Sequence, residues 1–185
     1  MSNVANVTAG KPNIEGAIYW AELGTTLPDD TGDALTAFTE LGYASEDGLT
    51  NTCSPEAEVI KAWGGDTVLA VQTSKEDTWK VKLIEALKDD VLKAVYGADN
   101  VSGSLSTGMA LSVNSEETPE AEWVFDMIMR NGVKKRVVIP DGKITEVGDI
   151  TYADNAVVGY EITITCLPDT DGNKHYEYFS EAESE

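Results

Sequence analysis

Tyr43-Ala44-Ser45-Glu46-Asp47-Gly48-Leu49 leads through Lys61-Ala62-Trp63-Gly64-Gly65-Asp66 to Val68-Leu69-Ala70-Val71-Gln72-Thr73, then Thr78-Trp79-Lys80-Val81-Lys82-Leu83 and a helix-like run closing at Gly97. This stretch decides the fold. Residues 68–73 and 78–83 read as the two arms of a β-hairpin around a four-residue loop, Ser74-Lys75-Glu76-Asp77. In the second arm Trp79, Val81 and Leu83 alternate with Lys80 and Lys82, so one face is buried and one wet. Ile84, Leu87, Val91 and Val95 recur at helical spacing, with Asp89 and Lys93 as an i,i+4 pair opposite, which predicts one amphipathic helix over 85–96 stopped by Gly97. Residues 45–66 show no period-2 alternation yet carry Leu49, Val59, Ile60 and Trp63. They are expected to form a long loop ordered by contact with a neighbour, because a structureless connection of this length is functional or disordered and its apolar content argues against disorder.

Outward from this region the signal is β. Residues 17–21 (Ala-Ile-Tyr-Trp-Ala) predict a strand, followed by a turn-rich Pro28–Asp33 segment and a weaker strand at 36–43. Further strands are expected near 104–114, 120–130, 133–140, 143–148 and 155–168. In one of them Trp123, Phe125, Met127 and Met129 share a face opposite Glu122, Val124, Asp126, Ile128 and Arg130. In the last, Tyr160, Ile162, Ile164 and Cys166 oppose Glu161, Thr163 and Thr165, which makes Cys166 a core residue. Trp79 and Trp123 both read as buried. The expected fold class is α+β, mainly β: an antiparallel β-sandwich or partly closed barrel with one flanking α-helix. At 185 residues the chain suits one domain.

The formal charge is −20, from 33 acidic and 13 basic side chains. That excess opposes binding to phosphate backbones and acidic membranes. Ten acids and no Lys or Arg lie between Lys11 and Lys61, the 169–185 tail is acidic, and five basic residues fall between Arg130 and Lys143. Such segregation suits a molecule that meets copies of itself. With no basic n-region and no long apolar run, the chain is expected to be soluble and not exported by a signal peptide. Cys53 and Cys166 are expected to be free thiols.

Chemistry of its own is sparse. His175 is the single histidine, read as a surface residue, so no His-rich zinc site can be built. Nucleophile-elbow, phosphate-loop and dinucleotide motifs are missing. Asp169-Thr170-Asp171-Gly172-Asn173 opens like a calcium loop but has Lys174 and Ser180 where an EF-hand needs Gly and Glu. A tight turn is the better reading, as for Asp47-Gly48 and Asp141-Gly142. Neither enzymatic activity nor a cofactor or metal is expected.

Ala62-Trp63-Gly64-Gly65-Asp66, joined to Leu83-Ile84-Glu85 and Val95-Tyr96-Gly97, resembles the major tail proteins of long-tailed bacteriophages (siphophages), most clearly over residues 38–101. The resemblance implies a tail-tube fold with an N-terminal arm (1–15), a stacking loop (45–66) and an acidic C-terminal tail. It implies six-membered rings whose inner sheets join into a barrel, stacked into a tube through which double-stranded DNA is ejected without being bound. The tape measure, tail terminator and distal tail proteins are its implied partners, and the virion, assembled in the host cytoplasm, its place. Leu49, Ile60 and Trp63 are then expected to contact other subunits. The bore is expected to be acidic, with Glu122, Asp126 and Glu161 as lining candidates, because a conduit with basic walls would bind phosphates along its length. Rival readings are another virion building block, a tail terminator or capsid decoration protein, and a carbohydrate-binding or glycosidase β-sandwich domain.

Overall fold

The computed structural model describes residues 2–13 and 16–182; the ends of both predicted terminal arms, residues 1, 14–15 and 183–185, lie outside that range. In chain order the elements are β1 (Lys11–Pro12), β2 (Ile18–Glu22), β3 (Thr39–Glu40), β4 (Ala44–Lys61), β5 (Thr67–Leu83), α1 (Asp89–Tyr96), β6 (Val101–Ser104), β7 (Gly108–Leu111), β8 (Ala121–Ile128), β9 (Lys134–Val147), β10 (Tyr160–Cys166) and β11 (Tyr176–Ser180). Nine strands form one open antiparallel sheet in the order β3-β2-β8-β9-β10-β5-β4, with β1 added to β8 and β11 to β9; β6 and β7 make a separate hairpin. The mainly β, single-helix class holds, and the sheet does not close into a barrel.

β9 organises the body by changing partners along its length. Its first half pairs with β8 and β11, its second half with β10. The change falls at Asp141-Gly142, which is strand interior and not the expected turn. Glycine is required there by packing, since a Cβ would meet Ile164, Trp123 and Ile139 at 2.8, 2.9 and 3.1 Å. Residues 133–140 and 143–148 are therefore one strand, not two.

The main core joins Trp79, Val81 and Leu83 of β5, Trp123 and Phe125 of β8, and Ile162 and Ile164 of β10 to Val91, Leu92 and Val95 of α1. Alternation predicted these faces correctly. A second, smaller cluster lies on the opposite face of β2, β8 and β9, where Ala21, Phe38, Val124 and Val138 are covered by Leu27, Leu35, Tyr176 and Tyr178. Both faces of β8 are consequently buried, which is why Glu122 and Val124 are as inaccessible as Trp123.

The helix begins at Asp89, one turn later than expected, because Glu85 instead accepts a hydrogen bond from the Tyr43 amide (3.0 Å) and Leu87 is exposed. The Asp89–Lys93 pair forms at 2.8 Å. The expected 104–114 strand is two strands turning between Ser104 and Gly108, and the 36–43 strand shrinks to Thr39–Glu40. Asp169–Asn173 is a turn, closed by Gly172 N–H donating to the Asp169 carbonyl at 3.0 Å. Asp47-Gly48 sits in an irregularity of the β4 register rather than a turn. The segment expected to be an acidic tail carries β11, paired with Lys134–Val138.

Candidate functional site

The largest departure from the expected structure is also the feature most suited to function. Residues 44–61 are not a loop: they form the 18-residue β4, paired with the 17-residue β5. Ser74–Asp77 is strand interior, and the hairpin turns at Ala62–Asp66, where Ala62 N–H donates to the Asp66 carbonyl (2.7 Å) and Gly65 N–H to the Ala62 carbonyl (3.0 Å). Gly64 and Gly65 supply this turn with φ of 121° and 99°, values that side-chain-bearing residues rarely adopt. Alternation was missing from 45–66 because alternation reports a buried face, and the outer hairpin has none.

Its inner half belongs to the body. Leu49 lies opposite Val81 and packs, half-buried, on the main core; Trp79 and Val81 are buried. Outside Asp77 every residue of β5 from Thr67 to Glu76 is exposed except the half-buried Ser74, and so is every residue of β4 from Thr50 to Lys61. Yet this arm is rich in apolar side chains. Val59, Ile60, Val68, Leu69 and Val71 are exposed near its end, and Trp63 at the turn is fully exposed. The register places Val59 opposite Ala70 on one face and Ile60 opposite Leu69 on the other. Ile60 and Trp63 were expected here; Val68, Leu69 and Val71 were missed, although the Trp-Gly-Gly-Asp turn signal that locates the tip was present.

At the root of the arm, Asp77 is buried. It accepts hydrogen bonds from Asn51 Nδ2 of β4 (2.7 Å) and pairs with His175 Nδ1 (2.5 Å), while the His175 ring meets Trp79 edge-on, centroids 5.3 Å apart. His175 is thus a partly buried partner, not the surface residue expected.

The sheet region that carries the arm has two open edges. β4 pairs on one side only, and Lys143–Val147 of β9 pairs only with β10 among the described residues. The face turned away from the core bears Thr50, Thr52, Thr78, Thr145, Thr163 and Thr165, with Lys80, Lys82 and Lys143 against Glu56, Glu58, Glu76, Glu146 and Glu161. Glu161 holds Lys80 at 2.6 Å and Glu117 holds Lys143 at 2.7 Å, which raises both lysines above their ordinary range.

Of the three lining candidates, Glu161 alone stands on this open face. Glu122 is buried, accepts the Gly24 amide at 2.9 Å, and has its carboxyl raised by that burial. Asp126 is held by Arg136 at 2.7 Å through two hydrogen bonds. The basic run is largely used within the subunit, Lys135 on Glu177 and Arg136 also on the carbonyls of Asp30 and Asp33. Asp29, Asp30 and Asp33 are the one acidic group among the described residues close enough to share a cation, and the carboxylates of Asp30 and Asp33 already accept loop amides.

An open-edged sheet with a projecting apolar arm defines a structural β-protein made to contact further protein. The phage tail tube protein family model matches residues 2–185, and the chain belongs to that family. It is a structural protein of the virion tail that assembles with itself into a tube. No match to the chain is found among curated proteins.

Proposed function

We propose that the subunit closes into rings, hexameric as the resemblance implies, through the two open edges of its β9-β10-β5-β4 region, and that the β4–β5 arm stacks ring on ring. The observation carrying this reading is the arm, an extended ribbon whose apolar side chains stay exposed among the described residues. Long exposed edges of this kind invite pairing unless assembly covers them. Strand parity supports closure: four strands alternate in direction, so a rotated copy presents its β9 edge antiparallel to the β4 edge, and repetition leaves neither of these two edges free.

The threonine-rich open face then lines the bore through which DNA is ejected. Its five glutamates against three lysines, two of them held by acids, leave it acidic on balance and poor in free phosphate-binding cations. Repulsion reaching about 8 Å at physiological salt keeps the duplex from adhering. Tape measure, terminator and distal tail proteins are the partners expected at the bore and at the two tube ends.

Electron microscopy of the concentrated protein, with and without tail seeds, tests the assembly. Stacked rings are expected; monomers alone under every condition would overturn it. A calculated potential over the assembled bore tests the lining, and a net positive wall would sink that part.

A further inference from the structure

Among the described residues the arm is held to the body at its root. A lone two-stranded ribbon is marginally stable and twists freely, so without a restraint its tip would sweep a wide volume and lose freedom on docking. Asp77 is the outermost buried residue of β5, the point where the body ends and the arm begins. An acid is an unexpected choice there, because a buried carboxylate is costly unless its oxygens are paired. Here both are: Oδ1 accepts from Asn51 of β4, and Oδ2 pairs with His175. His175 directly precedes β11, whose pairing with Lys134–Val138 anchors it to the far side of the body. Next to it, Lys174 Nζ donates to the Lys75 carbonyl at 2.5 Å, one step further out along β5. Three chain segments, distant in sequence, thus meet on one carboxylate at the arm's root.

We propose that His175 is a positioning residue for tube assembly: paired with Asp77, it latches the C-terminal segment onto the root of the arm and holds the arm at one angle to the body before a neighbour is met. This rests on the reading of the arm as the stacking element. Directional hydrogen bonds suit the task better than an apolar contact, which would tolerate sliding of β5. The latch supplies preorganisation, so its loss raises the cost of ordering the arm at docking rather than removing any contact between subunits.

The test compares His175→Ala, His175→Gln and Trp63→Ala in the full chain. Three quantities are measured: the melting temperature of the monomer, amide hydrogen exchange over 50–54 and 75–78, and the lowest concentration at which seeded tubes grow. For His175→Ala the expected result is faster exchange confined to the root, a melting temperature lowered by only a few degrees as Asp77 Oδ2 loses its partner, and a growth threshold raised about tenfold, the scale of losing one hydrogen bond to a charged group. His175→Gln, which keeps a donor, should recover part of that loss. If both His175 variants grow tubes at the wild-type threshold while Trp63→Ala does not, the latch is wrong and the arm reading stands. If Trp63→Ala also grows normally, both fall. Should both His175 variants unfold at much lower temperature with exchange raised throughout the body, His175 is a general fold residue and the positioning role is overturned.

Discussion

Two tryptophans on one hairpin have opposite surroundings. Trp79, near the base of β5, is buried against Phe125 with ring centroids 6.0 Å apart, whereas Trp63 at the tip touches solvent on all sides. In the inner half of the hairpin β5 alternates from Asp77 to Leu83, because one of its faces seals the core. The outer half carries apolar residues on both faces and seals nothing within the subunit. Identical backbone pairing therefore serves two ends: the root stabilises the monomer, and the tip stores apolar surface for contacts between subunits.

The largest effect should come from Trp79→Ala. Loss of a buried aromatic costs about 3–5 kcal/mol, which chemical denaturation of the monomer would read directly. A loss below about 1 kcal/mol would mean that the root is not core and would erase the contrast.

Trp63→Ala should reverse this pattern. Monomer stability is expected to stay within about 0.5 kcal/mol of wild type, while tube growth weakens by about 2 kcal/mol, roughly 30-fold in the elongation equilibrium. A variant that unfolds as a monomer would place Trp63 in the subunit's own core.

A smaller effect, of order 1 kcal/mol or less, is expected at Glu122, an acid enclosed by the body while the acids of the arm remain solvated. Burial raises its folded carboxyl above the unfolded value, so its contribution to stability is complete below the unfolded pKa and is lost as pH rises through the folded one. Glu122→Gln should keep the hydrogen bond from Gly24, be more stable than wild type near neutral pH, and show a flatter decline as pH rises. Equal pH slopes for the two proteins would show that Glu122 is solvated in the folded subunit.

The mildest probe is thiol labelling, since the two free cysteines sample the two regions. Cys53 is exposed on the arm; Cys166 is buried, its thiol pushed up to about 12 chiefly by that burial. A thiol reagent should modify one cysteine per native monomer and two in denaturant. Two equivalents in the native state would mean that the body opens as readily as the arm.

Elements with one buried face were legible in the sequence. The alternation of Trp79-Val81-Leu83 and Tyr160-Ile162-Ile164-Cys166, and the 3.6-residue spacing of Val91 and Val95, each record which side of the element leaves water. The arm was legible only in part: its apolar content and the Trp63-Gly64-Gly65 tip showed that it needed a neighbour, but its strands left no periodic trace because neither face is enclosed. The same reasoning explains Glu122, whose position reads as a wet face until the segment that follows β2 covers it, Gly24 donating to its carboxylate.

Composition and periodicity by themselves determined the β-rich class, the single helix, the principal core and the acidic, motif-poor surface, since each follows from which residues must leave water locally. Only the tertiary structure decided that β4 and β5 extend as one arm, that β9 changes partners at Gly142, and that Asn51, Asp77 and His175 meet. These arrangements join residues far apart in the chain, 26 apart for Asn51 and Asp77 and 98 apart for Asp77 and His175. A local pattern of polarity holds no information about such pairings; they arise when burial and hydrogen bonding are satisfied for the whole chain at once.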